Sequence, residues 1–103
     1  MKVHTKSSLF EAIVANEARL QALGVGRIGV FGSFIRNEQR DDSDVDVLVD
    51  FLPRQKNFDN FMTLSDLLEE LSGRRVEVVT RESLSPFLAP HILREVEYVP
   101  FSN

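Results

Sequence analysis

The segment Asp44-Val45-Asp46-Val47-Leu48-Val49-Asp50-Phe51 constrains this chain more than any other stretch. Aspartates alternate with β-branched residues at period two, the spacing that turns successive side chains to opposite faces of a strand. Val45, Val47 and Val49 therefore face a core, and Asp44 and Asp46 face the other way. Pro53 ends the strand. An extended segment with one apolar side needs partner strands and a covering layer, so the rest of the chain has to supply both.

It does so by switching period. Ser8 and Glu11 have capping-box spacing and predict a helix start. Phe10, Ile13, Val14, Leu20 and Leu23 then recur at helical spacing, and Gly24 is the stop. Arg27–Phe31 reads as a strand closed by Gly32-Ser33, and residues 34–43 as a short helix followed by a loop. Asp59 is the candidate cap of a second long helix, with Phe61, Met62, Leu64, Leu67, Leu68 and Leu71 as its apolar face and Gly73 as its end. Arg75–Thr80 is a third strand. Ser85-Pro86 and Pro90 are helix-start signals, and Val96–Val99 alternates as a last strand. The order α-β-(α)-β-α-β-α-β predicts a two-layer α/β (α+β) domain over residues 1–103. It is expected to hold a small mixed sheet of about four strands with helices mainly on one face. The linkers permit parallel or antiparallel neighbours, and spacing alone does not choose between them.

Composition narrows the functions open to this fold. Twelve Lys and Arg against sixteen Asp and Glu leave a net charge of −4. This disfavours nucleic acid and anionic membranes as partners, since both are met by basic surfaces. No cysteine is present, which excludes disulfides, thiolate nucleophiles and zinc–cysteine sites. No apolar run approaches the ~20 residues of a membrane helix, and Met1–Lys6 is not followed by a signal-type apolar stretch. The expectation is a cytoplasmic protein.

Three features carry chemistry. Gly32-Ser33 closes a strand, where glycine lets backbone approach a phosphate and the adjacent amides and hydroxyl can donate to it. No lysine follows at P-loop spacing. Asp44 and Asp46 lie on one face of a strand, and two close carboxylates repel unless a cation sits between them. Mg²⁺ suits such a pair together with phosphate oxygens. Glu77 lies in the middle of the next strand. Taken singly, Gly-Ser is a turn, Asp-x-Asp a solvated acidic edge and Glu77 an exposed strand residue. The Arg74-Arg75 pair reads as solvated surface that flanks the site, and Phe87 and Phe101 as partner contacts within an otherwise core-forming set of phenylalanines. His4 and His91 are too far apart in sequence to suggest a metal site.

Together, Gly32-Ser33-Phe34-Ile35-Arg36, Ser43 through Val49 and Glu77 resemble the nucleotidyltransferase superfamily related to DNA polymerase β. The similarity is greatest to its minimal members, the MNT-domain proteins. The resemblance implies that Gly32 and Ser33 hold a nucleotide triphosphate, with Arg36 as a phosphate contact or a partner for an aspartate. It implies that Asp44 and Asp46 bind Mg²⁺, and that Glu77 is the third acidic position, which helps hold metal and deprotonates the attacking hydroxyl. It further implies ATP as substrate and a HEPN-domain toxin as partner in a hetero-oligomer, with AMP transferred to a tyrosine of that toxin. Two positions depart from the family pattern. Glu77 stands where aspartate is common, and Ile35-Arg36-Asn37 replaces a small residue-Arg-Gly, although Asn37 is next best to glycine in a left-handed turn. The Glu77 departure points to the alternative, an inactive antitoxin of the same fold that neutralises its partner by contact alone.

Overall fold

The structure, a computed structural model, describes residues 1–102. Two helices, α1 (Lys6–Ala15) and α2 (Glu17–Ala22), lead into strand β1 (Val25–Phe31) and the single turn α3 (Ser33–Arg36). Strand β2 (Val45–Phe51), helix α4 (Phe58–Ser72) and strand β3 (Val76–Val79) follow. A 3₁₀ turn (Arg81–Ser83), helix α5 (Ala89–Glu95) and strand β4 (Glu97–Tyr98) complete the order. The sheet runs β3-β2-β1-β4. β1 is antiparallel to β2 and to β4, whereas β2 and β3 are parallel. Helix α4 is the crossover that a parallel neighbour requires. The expected mixed four-stranded sheet is thus present, and its strand directions are now defined.

The alternation of β2 does what its pattern predicts. Val45, Val47 and Val49 are buried beside Ile28 and Val30 of β1, under Leu9, Ile13, Leu20, Leu64 and Leu68 from the helices. Asp46 and Asp50 emerge on the other face.

Element ends differ from the sequence pattern where a better cap lies nearby. Thr5, not Ser8, caps α1: its side chain accepts from the Ser8 amide, and Ser8 reciprocates at the Thr5 backbone. The expected long first helix breaks at Asn16, whose side-chain amide donates to the Ala12 carbonyl and competes with the backbone ladder. Val14, expected on the apolar face, is exposed. Asn57 rather than Asp59 caps α4, accepting from the Asn60 amide at 2.8 Å, and Met62 lies off the buried face. Gly73 ends α4 at φ +69°, as its position predicts. Ser85-Pro86 forms a turn, and α5 begins after it with Pro90 in its first turn.

Arg74 corrects its sequence reading as solvated surface. It is 6% exposed. Its Nε donates to the Val3 carbonyl at 2.7 Å, and its Nη1 donates to the carbonyls of Arg40 at 2.9 Å and Ser43 at 2.8 Å. The guanidinium lies 5.0 Å from the Phe34 ring centroid. One side chain therefore supplies the donor for the carbonyls of three residues, Val3, Arg40 and Ser43. It also ties the N-terminal segment to the loop that delivers Asp44. Phe101 packs against the core, whereas Phe87 is exposed. No helix among the described residues is long and apolar enough to cross a membrane.

Candidate active site

Topology brings three distant segments together on the sheet face opposite the core. The antiparallel β1–β2 register pairs Phe31 with Asp46, and the parallel β2–β3 register pairs Asp46 with Glu77. Gly32 follows Phe31 directly, so the glycine turn and two carboxylates lie side by side. They open into a cavity of about 600 Å³, which Leu84, Leu88, His91, Ile92 and Glu95 also line.

The turn at Gly32 is one that only glycine accepts readily. Its φ is +81° and ψ −151°, and a Cβ there would run into Asp46 Oδ2. The substitution Gly32→Ala is expected to destabilise the fold by about 2 kcal/mol through backbone strain and to push Asp46 aside. Urea unfolding measures the first effect and the rate of nucleotidyl transfer the second. Asn37 closes α3 in the left-handed region at φ +59°, the role its chemistry predicts.

Of the six candidate residues, Gly32, Arg36, Asp46 and Glu77 line the cavity. Ser33 sits half-buried in the turn beside it and opens α3. Asp44 precedes β2, is exposed, and lines a neighbouring hollow with Arg74 and Arg75. The last aspartate of the alternating segment, Asp50, is remote from the site and is clamped by Arg27 and Arg81 at 3.0 and 3.1 Å.

Asp46 is pushed up to about 6, first by burial, then by the Glu77 carboxylate and by the charge of Asp44, with Arg36 opposing. Among the described residues no three carboxylate or imidazole groups converge on one point. The preformed unit is the Asp46–Glu77 pair, two hard oxygen donors with excess negative charge, and it suits a divalent cation. The pH dependence follows from the sign of the shift. In the metal-free protein the folded state holds the Asp46 proton more tightly than the unfolded chain. Its contribution to stability is full below 3.8 and is lost as the pH rises through about 6. A cation needs the ionised pair, so the gain in Tm from added MgCl₂ should be larger near about pH 7.5 than near about pH 5. Equal gains at both would count against cation binding at Asp46.

Glu95 is the site residue that sequence reasoning missed. Its Oε2 accepts from the Gly32 amide at 2.8 Å, and its Oε1 accepts from Arg36 Nη1 at 2.7 Å. Arg36 Nε also donates to Glu38 at 2.8 Å, and both carboxylates push the Arg36 pKa up. Burial works against the Glu95 charge, but the Gly32 amide and Arg36 outweigh it and hold its pKa low. Gly32 lies 63 residues away along the chain, so no local spacing announces the contact. His91, set aside as a metal ligand, does line the cavity.

Two carboxylates, a glycine turn and an arginine line one open cavity, a set of donors and acceptors whose chemistry suits a phosphate ester and a cation. The chain belongs to the nucleotidyltransferase domain family, whose pattern residues 13–99 match. It is 41% identical over 100 residues to protein adenylyltransferase MntA of Thermococcus cleftensis, an alignment covering 96% of this chain and all of that one. A Methanocaldococcus jannaschii protein provisionally assigned the same activity is 43% identical over 72 residues, 70% of this chain and 76% of its own. A solved structure assigned as a minimal nucleotidyltransferase superposes with a TM-score of 0.79 at 34% identity, covering 91% of this chain and 95% of that one. A toxin–antitoxin crystal structure with AMP-PNP shares the fold at a TM-score of 0.66 and 17% identity, over 97% of this chain and 76% of that one.

Proposed function

We propose that this nucleotidyltransferase moves AMP from ATP to a hydroxyl of a partner protein, the HEPN-type toxin of an MNT-type toxin–antitoxin pair. The observation that carries the reading is the convergence of Gly32, Arg36, Asp46 and Glu77 on one cavity. The 41% identity to a protein adenylyltransferase supports AMP as the group and protein as the acceptor. The toxin–antitoxin fold neighbour supports the kind of partner. The net charge of −4 makes nucleic acid a poor acceptor.

In this reading Gly32 and Ser33 receive the triphosphate, and Arg36 turns its guanidinium toward it. Asp46 and Glu77, with Asp44 from the adjoining hollow, would hold Mg²⁺, which would supply charge neutralisation at the phosphates. The acceptor oxygen bonds to the α-phosphorus as the bond to pyrophosphate breaks. Glu77, exposed at the cavity edge, takes the hydroxyl proton, and pyrophosphate carries away the displaced charge. A second reading, neutralisation by contact alone, is favoured by one observation: Glu77 is a methylene longer than the aspartate common in the family.

The test is incubation with radiolabelled ATP, MgCl₂ and the protein encoded by the adjacent gene, the candidate toxin. Label on that protein supports the transfer reading. A stable complex without label supports the contact reading, and neither label nor complex overturns both.

A further inference from the structure

The two phosphate-facing donors of this site are already occupied by a group from the chain itself. Glu95 spans them with one oxygen each, the Gly32 amide on Oε2 at 2.8 Å and Arg36 Nη1 on Oε1 at 2.7 Å. A backbone N–H beside a guanidinium is the donor pair that a phosphate oxygen or a carboxylate takes. We propose that Glu95 is a built-in competitor for the triphosphate seat, so that nucleotide binding must release it and thereby loosens the hold on α5. The proposal rests on the nucleotide-transfer reading and adds to it the residue that sets nucleotide affinity.

Three observations support release over permanent closure. Glu95 lies in the last turn of α5, a seven-residue helix with no fully buried side chain. Leu88 and Leu93 of that segment are 57% and 40% exposed, so little apolar burial resists a small shift of the helix. Arg36 is held independently by Glu38, so its guanidinium stays at the cavity when Glu95 leaves. A third carboxylate in a cavity that already contains Asp46 and Glu77 would also repel an arriving polyphosphate. Exchanging Glu95 for the phosphate removes that repulsion, and the donors gain a more highly charged partner.

The consequence is a conformational tax on affinity: the seat is available only in the fraction of molecules in which Glu95 has let go. Replacing the carboxylate lowers the tax while also removing one bond (glutamine) or both (alanine) from the nucleotide-free fold. Affinity and stability should therefore move in opposite directions, whereas a purely structural Glu95 would lower both.

The experiment is calorimetric titration of ATP with MgCl₂ into the wild type, Glu95→Gln and Glu95→Ala, with the Tm of each measured without nucleotide. Glutamine keeps the shape and one acceptor, which guards against misfolding of the alanine variant. The expected result is a dissociation constant about tenfold lower for both variants, together with a Tm no higher than that of the wild type. Amide exchange gives a second readout. Adding ATP to the wild type should speed exchange across residues 89–95 while slowing it at the β1–α3 turn. Equal or weaker ATP binding by Glu95→Gln, with the wild type binding, overturns the proposal and leaves the nucleotide reading standing. No binding by any of the three proteins overturns the nucleotide reading, and this inference with it.

Discussion

Asp46→Asn is expected to abolish nucleotidyl transfer in a protein that remains folded. The side chain is half-buried in the cavity lining, paired in register with Glu77 and adjoining the Gly32 turn. Asparagine keeps its size but offers the cation a weaker neutral oxygen in place of a carboxylate. Loss of charge stabilisation worth several kcal/mol corresponds to a fall in rate of at least about a thousandfold. Stability should move the other way. Burial and Glu77 both oppose the Asp46 charge, so the neutral isostere relieves repulsion, and the urea midpoint at neutral pH should be unchanged or higher. Asp44→Asn should cost less, because Asp44 is exposed and faces the adjoining hollow. Initial rates and urea unfolding of both variants make the test. A rate for Asp46→Asn within about tenfold of the wild type would remove Asp46 from the chemistry.

The second large effect is on the fold. Arg74→Ala should destabilise the protein by about 3 kcal/mol. Truncation leaves the carbonyls of Val3, Arg40 and Ser43 without their donor and uncovers one face of Phe34. Arg74→Lys should recover little of the loss, because a single ammonium cannot reach carbonyls spread around a planar fork. Urea unfolding reads the effect directly. The loop freed by the substitution is the one that leads to Asp44, so a smaller loss of transfer rate should accompany the loss of stability. A destabilisation below about 1 kcal/mol would mean that water satisfies these carbonyls as well as Arg74 does.

Asp46 and Arg74 also mark the two sides of what the sequence contains. The faces of β2 were legible because period-two alternation is a property of the backbone: once Val45, Val47 and Val49 are buried, Asp46 has to emerge opposite them. Gly32 and Asn37 were legible for a similar reason, since the chain turns at both in conformations that few other residues accept. Glu77 could be nominated from its place in a third strand and from the family resemblance. Its position beside Asp46 depended on β2 and β3 running parallel, which the linker through α4 allowed but did not require.

Helix caps stood between these cases. Thr5 and Asn57 displaced Ser8 and Asp59 because several side chains near each helix start could cap it, and the geometry of the preceding residue chose among them.

Long-range polar contacts lay on the far side. Arg74 follows a helix-ending glycine and looks like surface until the fold folds two other segments over it. Glu95 ends a short helix and looks solvated until β1 delivers Gly32 and Arg36 to its carboxylate. Backbone periodicity and steric preference act within a few residues, so the sequence alone determined the faces of β2 and the turn residues. The partners of Arg74 and Glu95 depend on which segments the shared core brings into contact, and only the tertiary structure decided them.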